Sequence, residues 1–181
     1  MKVKMNRDDF ANNSYMKNGE LISNQYAIKS VTSTITIITI IWILNMVNIF
    51  LVDKLTTTRC FVACVIVYAL GMLVCKLNDL SKPWIKYFIL LWVVVIITIV
   101  MTFLTYHSVL ACLLPIVYTS MYSSGKMMRY TYILTVCSII ISVYAGYYLG
   151  ICDANMALLT GKPLSAYVGE NGQFNHINLN D

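Results

Sequence analysis

From Tyr87 to Gly125 the chain reads YFILLWVVVIITIVMTFLTYHSVLACLLPIVYTSMYSSG without one charged side chain. A helix rising about 1.5 Å per residue crosses the roughly 30 Å hydrocarbon core of a bilayer in about 20 residues. The run is about twice that length, so it holds two crossings with a turn between them. Thr105-Tyr106-His107-Ser108 is the most polar stretch near its middle, and the turn is placed there. One crossing then covers residues 87–105 and the next 109–122. The second is shortened by Pro115, which removes a helical hydrogen bond and predicts a kink.

Outward from this run the charges continue to act as punctuation. Between Lys29 and Asp153 the only acids are Asp53 and Asp79, and the bases stand beside them or alone. Residues 31–52 and 131–151 are uncharged and long enough to cross. Residues 60–75 are short and cross only if Arg59 and Lys76 snorkel to the headgroups. Across all 181 residues only 12% are charged, against 59% hydrophobic, where a soluble domain carries roughly one quarter charged. The expected fold is therefore all-α, a polytopic transmembrane helical bundle of about five spans in contact with lipid. Soluble nucleotide-binding, nucleic-acid-binding and disulfide-stapled secreted classes are excluded. The net charge of +5 is scattered in ones and twos, as membrane flanks are.

Orientation follows from the bases. With five spans and the N-terminus inside, the cytoplasm receives ten, namely Lys2, Lys4, Arg7, Lys17, Lys29, Lys76, Lys82, Lys86, Lys126 and Arg129, against Lys54, Arg59 and Lys162 outside. A re-entrant residues 109–122 would give nine against four, so N-in, C-out with five spans is favoured. Residues 1–30 are then a cytoplasmic polar segment without helical periodicity, 31–152 the bundle, and 153–181 an extracytoplasmic polar tail or loop. No short apolar core precedes a small-residue cleavage site, so a removed signal peptide is not expected.

No span carries an ionisable side chain of the kind that intramembrane chemistry keeps, and no catalytic, cofactor or metal motif can be assembled from the two histidines. Cys60 and Cys64 with Cys152 form a conceivable thiol site. Without a histidine or acid as co-ligand, they read instead as small apolar side chains. Ser138, Ser142, Gly146 and Gly150 recur every fourth residue, a stripe that admits a neighbouring backbone, either span one or span five of a second copy. Asn45 and Asn48, three apart, are expected on one helix face turned toward another helix. Tyr and Trp gather near span ends, but Trp42 and Trp92 lie nearer mid-span. His107, at the outer turn, and Asp153 and Asn155, at the exit of the last span, are the candidate sensing residues.

The stretch from Leu114 to Thr160 adds a resemblance. It contains LPIVYTSMY (114–122), the basic turn GKMMRYT (125–131), an apolar span and CDANMALLT (152–160). This resembles the N-terminal multi-span input region of Gram-positive bacterial signalling proteins, chiefly membrane-bound diguanylate cyclases and, less closely, sensor histidine kinases. The resemblance implies a sensory module of the bacterial cytoplasmic membrane feeding a cytosolic domain with a Gly-Gly-Asp/Glu-Glu-Phe loop. No such loop follows here, and no catalytic residue carries over. With the tail outside, a cytosolic output implies a sixth span beyond Asp181, and the chain is then expected to stop in the loop before it. The expected function is signal input, sensed through helix packing about the span-five stripe and the Asn45/Asn48 face. A small transporter component, with Pro115 and the short spans lining a path, and a structural assembly partner are the alternatives.

Overall fold

The computed structural model describes residues 7–49, 54–104, 110–122 and 124–149, with side chains from residue 18 onward except those of 147 and 148. The described residues form five helices: α1 (Arg7–Met46), α2 (Lys54–Leu77), α3 (Ile85–Leu104), α4 (Leu114–Ser120) and α5 (Gly125–Leu149). Four contain segments long and apolar enough to cross a membrane: Asn18–Met46, Lys54–Leu77, Ile85–Leu104 and Gly125–Gly146. The described residues hold helices and no strand, and the chain is a membrane protein. Ile37, Ile66, Leu70, Ile133, Ile140 and Val143 are more than half exposed, as expected of faces solvated by lipid.

Burial follows helical spacing on each element. On α1 the buried positions include Asn24, Ala27, Val31 and Ile35; on α2 they include Thr57, Cys60, Cys64, Gly71 and Cys75; on α5 they include Met127, Thr131, Thr135, Ser138, Ser142 and Gly146. Steps of three and four keep one face inward. The middle of α3 is different, because Trp92, Val93, Val94, Ile96 and Ile97 are all buried. It is the central helix, packed against α1, α2, α4 and α5, with α5 its most extensive partner.

Hydroxyls in this apolar setting are satisfied locally. Thr32, Ser33, Thr34, Thr36, Thr39 and Thr98 each donate to the carbonyl four residues earlier, which removes the cost of a bare hydroxyl in hydrocarbon. The two mid-span tryptophans are interhelical ties. Trp42 Nε1 donates to Thr58 Oγ1 at 3.2 Å, and its ring stacks on Phe61 with centroids 4.6 Å apart. Trp92 Nε1 donates to the Val67 carbonyl at 3.0 Å. An indole whose N–H has a partner inside the bundle has no need of the interface.

Pair contacts set the helix directions. Trp42 meets Thr58 and Thr32 meets Tyr68, so α1 and α2 are antiparallel. Thr34 meets Tyr118 and Asn24 meets Tyr122, so α4 also runs against α1. Tyr87 meets Tyr130 and Thr98 meets Ser138, so α3 and α5 are parallel. The chain therefore returns along the bundle between Leu104 and Gly125. A tight turn joins α2 to α3: the Ser81 backbone N–H and hydroxyl donate to the two Asp79 carboxylate oxygens, at 2.9 and 2.7 Å.

Three local features differ from the sequence reading. Helix α1 starts at Arg7 and covers most of the segment read as lacking periodicity. Its Asn24, Ala27, Val31, Ile35 spacing is helical, but the first position is polar and does not register as apolar patterning. Asn48 does not share a helix face with Asn45. It lies two residues beyond α1 with φ 62°, Asn48 N–H donating to Asn45 O at 3.1 Å and Ile49 N–H to Leu44 O at 3.0 Å. This is a Schellman cap, and asparagine is among the few residues that accept its left-handed position readily. Pro115 kinks no helix interior. It sits in the first turn of α4, after a 3₁₀ turn over residues 110–113, where its missing N–H has no intrahelical acceptor to lose.

Candidate functional site

At the end of the bundle where α2 gives way to α3, polar groups from three segments converge on α1. Asn24 is 1% exposed. Its Nδ2 donates to the Leu80 carbonyl at 2.8 Å, and its Oδ1 accepts from the Tyr122 hydroxyl at 2.8 Å. One side chain thus joins α1 to the α2–α3 turn and to the segment entering α5. One residue earlier, Ser23 Oγ donates to the Met121 carbonyl at 3.1 Å. Glu20 forms an ion pair with Lys86 on the first turn of α3. The lysine is 16% exposed and the glutamate 38%, so the pair is partly withdrawn from water and less screened than a surface pair.

These residues enclose a half-open cleft of about 620 Å³ lined by Glu20, Ser23, Lys86, Tyr122, Ser124 and Met127. Its lining mixes the Glu20 carboxylate, the Lys86 ammonium and the Ser23 and Ser124 hydroxyls with the Tyr122 ring. Burial raises the Tyr122 phenol well above its ordinary value, with Cys75 and then Glu20 adding to the shift. The phenol is thus kept as a donor to Asn24. Exposed Lys76, Lys82, Lys126 and Arg129 surround this end.

Two smaller cavities lie elsewhere among the described residues. A cavity of about 10 Å³ lies between Val31, Val93, Ile97 and Tyr118, and one of about 40 Å³ between Trp42, Cys60, Phe61 and Leu104. Cys60 and Cys64 are buried, free and hydrogen-bonded to each other one helical turn apart. Among the described residues no group of three His, Cys, Asp or Glu side chains could hold a metal ion.

The small-residue stripe lies on the α3–α5 seam. Ser138 Oγ and Thr98 Oγ1 are 2.7 Å apart, and Ser142 Oγ donates to the Thr98 carbonyl at 3.3 Å. Gly146 is buried further along the same face. The neighbour of Ser138 and Ser142 is therefore α3, not α1. Thr135, between them and Thr131, has a buried hydroxyl with no partner. Asn45 is buried near the opposite end of α1 from the cleft. His107, Gly150, Cys152, Asp153 and Asn155, with the tail 153–181, lie outside the described residues.

The sequence reading did not single out Glu20, Asn24, Lys86 or Tyr122 as a site. Glu20 and Lys86 are opposite charges beside apolar runs, a signal that carries no pairing information until the fold brings residues 66 apart in sequence together. No protein family, curated protein or solved structure matches the chain.

Proposed function

We propose that the chain is the signal-input module of a bacterial plasma-membrane signalling protein. Five crossings place the N-terminus inside and the tail outside, and helix repacking is passed to α1 through the Asn24 junction. The observation that carries this reading is the continuity of α1. Its 40 residues correspond to about 60 Å of helix at ~1.5 Å per residue, about twice the hydrocarbon thickness. A rod that extends past the bundle and is tied at Asn24, Ser23 and Glu20 to two inter-helix connections moves with those connections.

Two further observations support the topology. A re-entrant residues 109–122 would set α5 against α3 in direction, whereas the two are parallel. The bases Lys76, Lys82, Lys126 and Arg129 gather at the end that also carries the α1 extension, in keeping with a cytoplasmic face. The resemblance over Leu114–Thr160 supplies the signalling class, and the ties from Asn24 to two inter-helix connections favour transmission by packing.

The test uses cells producing the full reading frame. Asn24→Leu, which removes both ties, is expected to change the level of the second messenger, cyclic di-GMP first, by several fold at equal protein abundance. An unchanged level removes the signal-input reading. Solute uptake by reconstituted wild-type protein, lost on substitution of Pro115 or Asn45, would put the transporter component in its place. Labelling of substituted cysteines at Lys126 and Lys162 from opposite sides of the membrane is expected, and same-side labelling overturns the five-crossing topology.

A further inference from the structure

We infer that the cleft between α1, α3 and the start of α5 binds a zwitterionic group, an anionic oxygen cluster joined to an ammonium, as in an ethanolamine phospholipid headgroup or a free amino acid. The volume of about 620 Å³ lies in the range of small-molecule sites. The chemistry is in the lining. Lys86 supplies an ammonium, Glu20 a carboxylate and Ser124 a hydroxyl, and Tyr122 adds an aromatic ring.

The charge balance selects the ligand. A simple anion would gain Lys86 but meet the Glu20 carboxylate, and a simple cation would meet the reverse. A zwitterion exchanges the internal Glu20–Lys86 pair for two external ones, its oxygens on the lysine and its ammonium on the glutamate. No charge is then left buried and unpaired. Ser124 and Gly125 at the start of α5 also line the cleft, and the positive end of that helix favours the anionic part of such a ligand.

Gly19 and Gly125 also line the cleft, and a Cβ at either would meet nothing within 4 Å. A larger side chain at either lining position finds open space and no packed neighbour to displace. This assignment extends the signal-input reading by naming the ligand class of the same junction. The assay below reads occupancy alone and the messenger assay reads output alone, so either can fail without the other.

The experiment uses the full chain in nanodiscs of phosphatidylglycerol with or without phosphatidylethanolamine, with retained lipid counted by native mass spectrometry. A parallel arm measures calorimetric binding of glycine and serine in phosphatidylglycerol discs. Retention of phosphatidylethanolamine identifies a lipid source, and amino-acid binding identifies a soluble one. Gly19→Phe and Gly125→Phe are expected to lower occupancy at least tenfold with unchanged thermal stability. Glu20→Gln is expected to lower the preference for zwitterion over phosphatidylglycerol at least tenfold, by removing only the ammonium partner. Wild-type protein that takes up neither probe overturns the assignment, as does equal occupancy in both glycine variants.

Discussion

The indole of Trp92 stands where a side chain at residue 71 would have to be: a Cβ built on Gly71 would come within 2.0 Å of Trp92 Cε2 and 2.3 Å of its Nε1. The ring lies flat against the α2 backbone, donates to the Val67 carbonyl and stacks on Tyr68 with centroids 5.7 Å apart. Without a hydrophobic drive between helices in lipid, such close approach is what holds α2 to α3. Gly71→Ala is therefore expected to destabilise the bundle by about 1–3 kcal/mol, the usual cost of overpacking. Unfolding in detergent, run as a cycle with Trp92→Leu, should show the two changes to be strongly non-additive. Additive effects would separate the glycine from the ring.

The cap on α1 makes a second expectation. Asn48 occupies a left-handed conformation, φ 62°, that costs β-branched residues about 1–2 kcal/mol. Asn48→Gly should leave thermal stability within a few tenths of a kcal/mol of wild type. Asn48→Ile should lower it by about 1–2 kcal/mol. If an inward-facing amide is what matters at this position, both substitutions will be equally harmful.

Alkaline pH probes the junction. Burial, then Cys75, then Glu20, hold the Tyr122 phenol above the ordinary value of 10.0. In the unfolded chain the proton leaves near pH 10, whereas in the folded protein it is retained. Stability is thus full below pH 10 and falls as pH rises above it toward the folded value. Tyr122→Phe is expected to flatten this alkaline slope while costing about 1 kcal/mol near neutrality, where the hydrogen bond to Asn24 is lost. An identical slope in the variant would place the alkaline titration elsewhere.

The α3–α5 seam predicts a contrast within one helix. Gly146 is buried and Leu149 exposed, so Gly146→Leu should cost about 1–3 kcal/mol and Leu149→Ala less than about 0.5 kcal/mol. A Thr98→Val, Ser138→Ala cycle should return a coupling of about 0.6 kcal/mol, the average for interhelical side-chain bonds in lipid. Equal loss at residues 146 and 149 would contradict the seam.

The helical core was legible because charge marks where a chain leaves lipid. The uncharged residues 87–105 overlap α3 at Ile85–Leu104, and 131–151 overlap the apolar body of α5. The ends were less legible, since helices run on through flanking bases: α2 begins at Lys54 and contains Arg59 and Lys76. The stripe at Ser138 and Ser142 could be read as a packing face from its spacing alone, but its partner depends on which helix stands beside it. The junction was illegible for a different reason. Lys86 and Tyr122 lie 66 and 98 residues from the α1 side chains they meet, and Asn24 lies in a segment whose polarity masked a buried helical face.

Because α3 finds its most extensive partner in α5, which is synthesised after it, the central helix must enter the bilayer before its own sheath exists. Until α5 emerges, the Thr98 side of α3 is turned to lipid or to the insertion machinery. Chains interrupted before residue 125 are then immature substrates for membrane proteolysis, and the α3 face stays uncovered until α5 has been made.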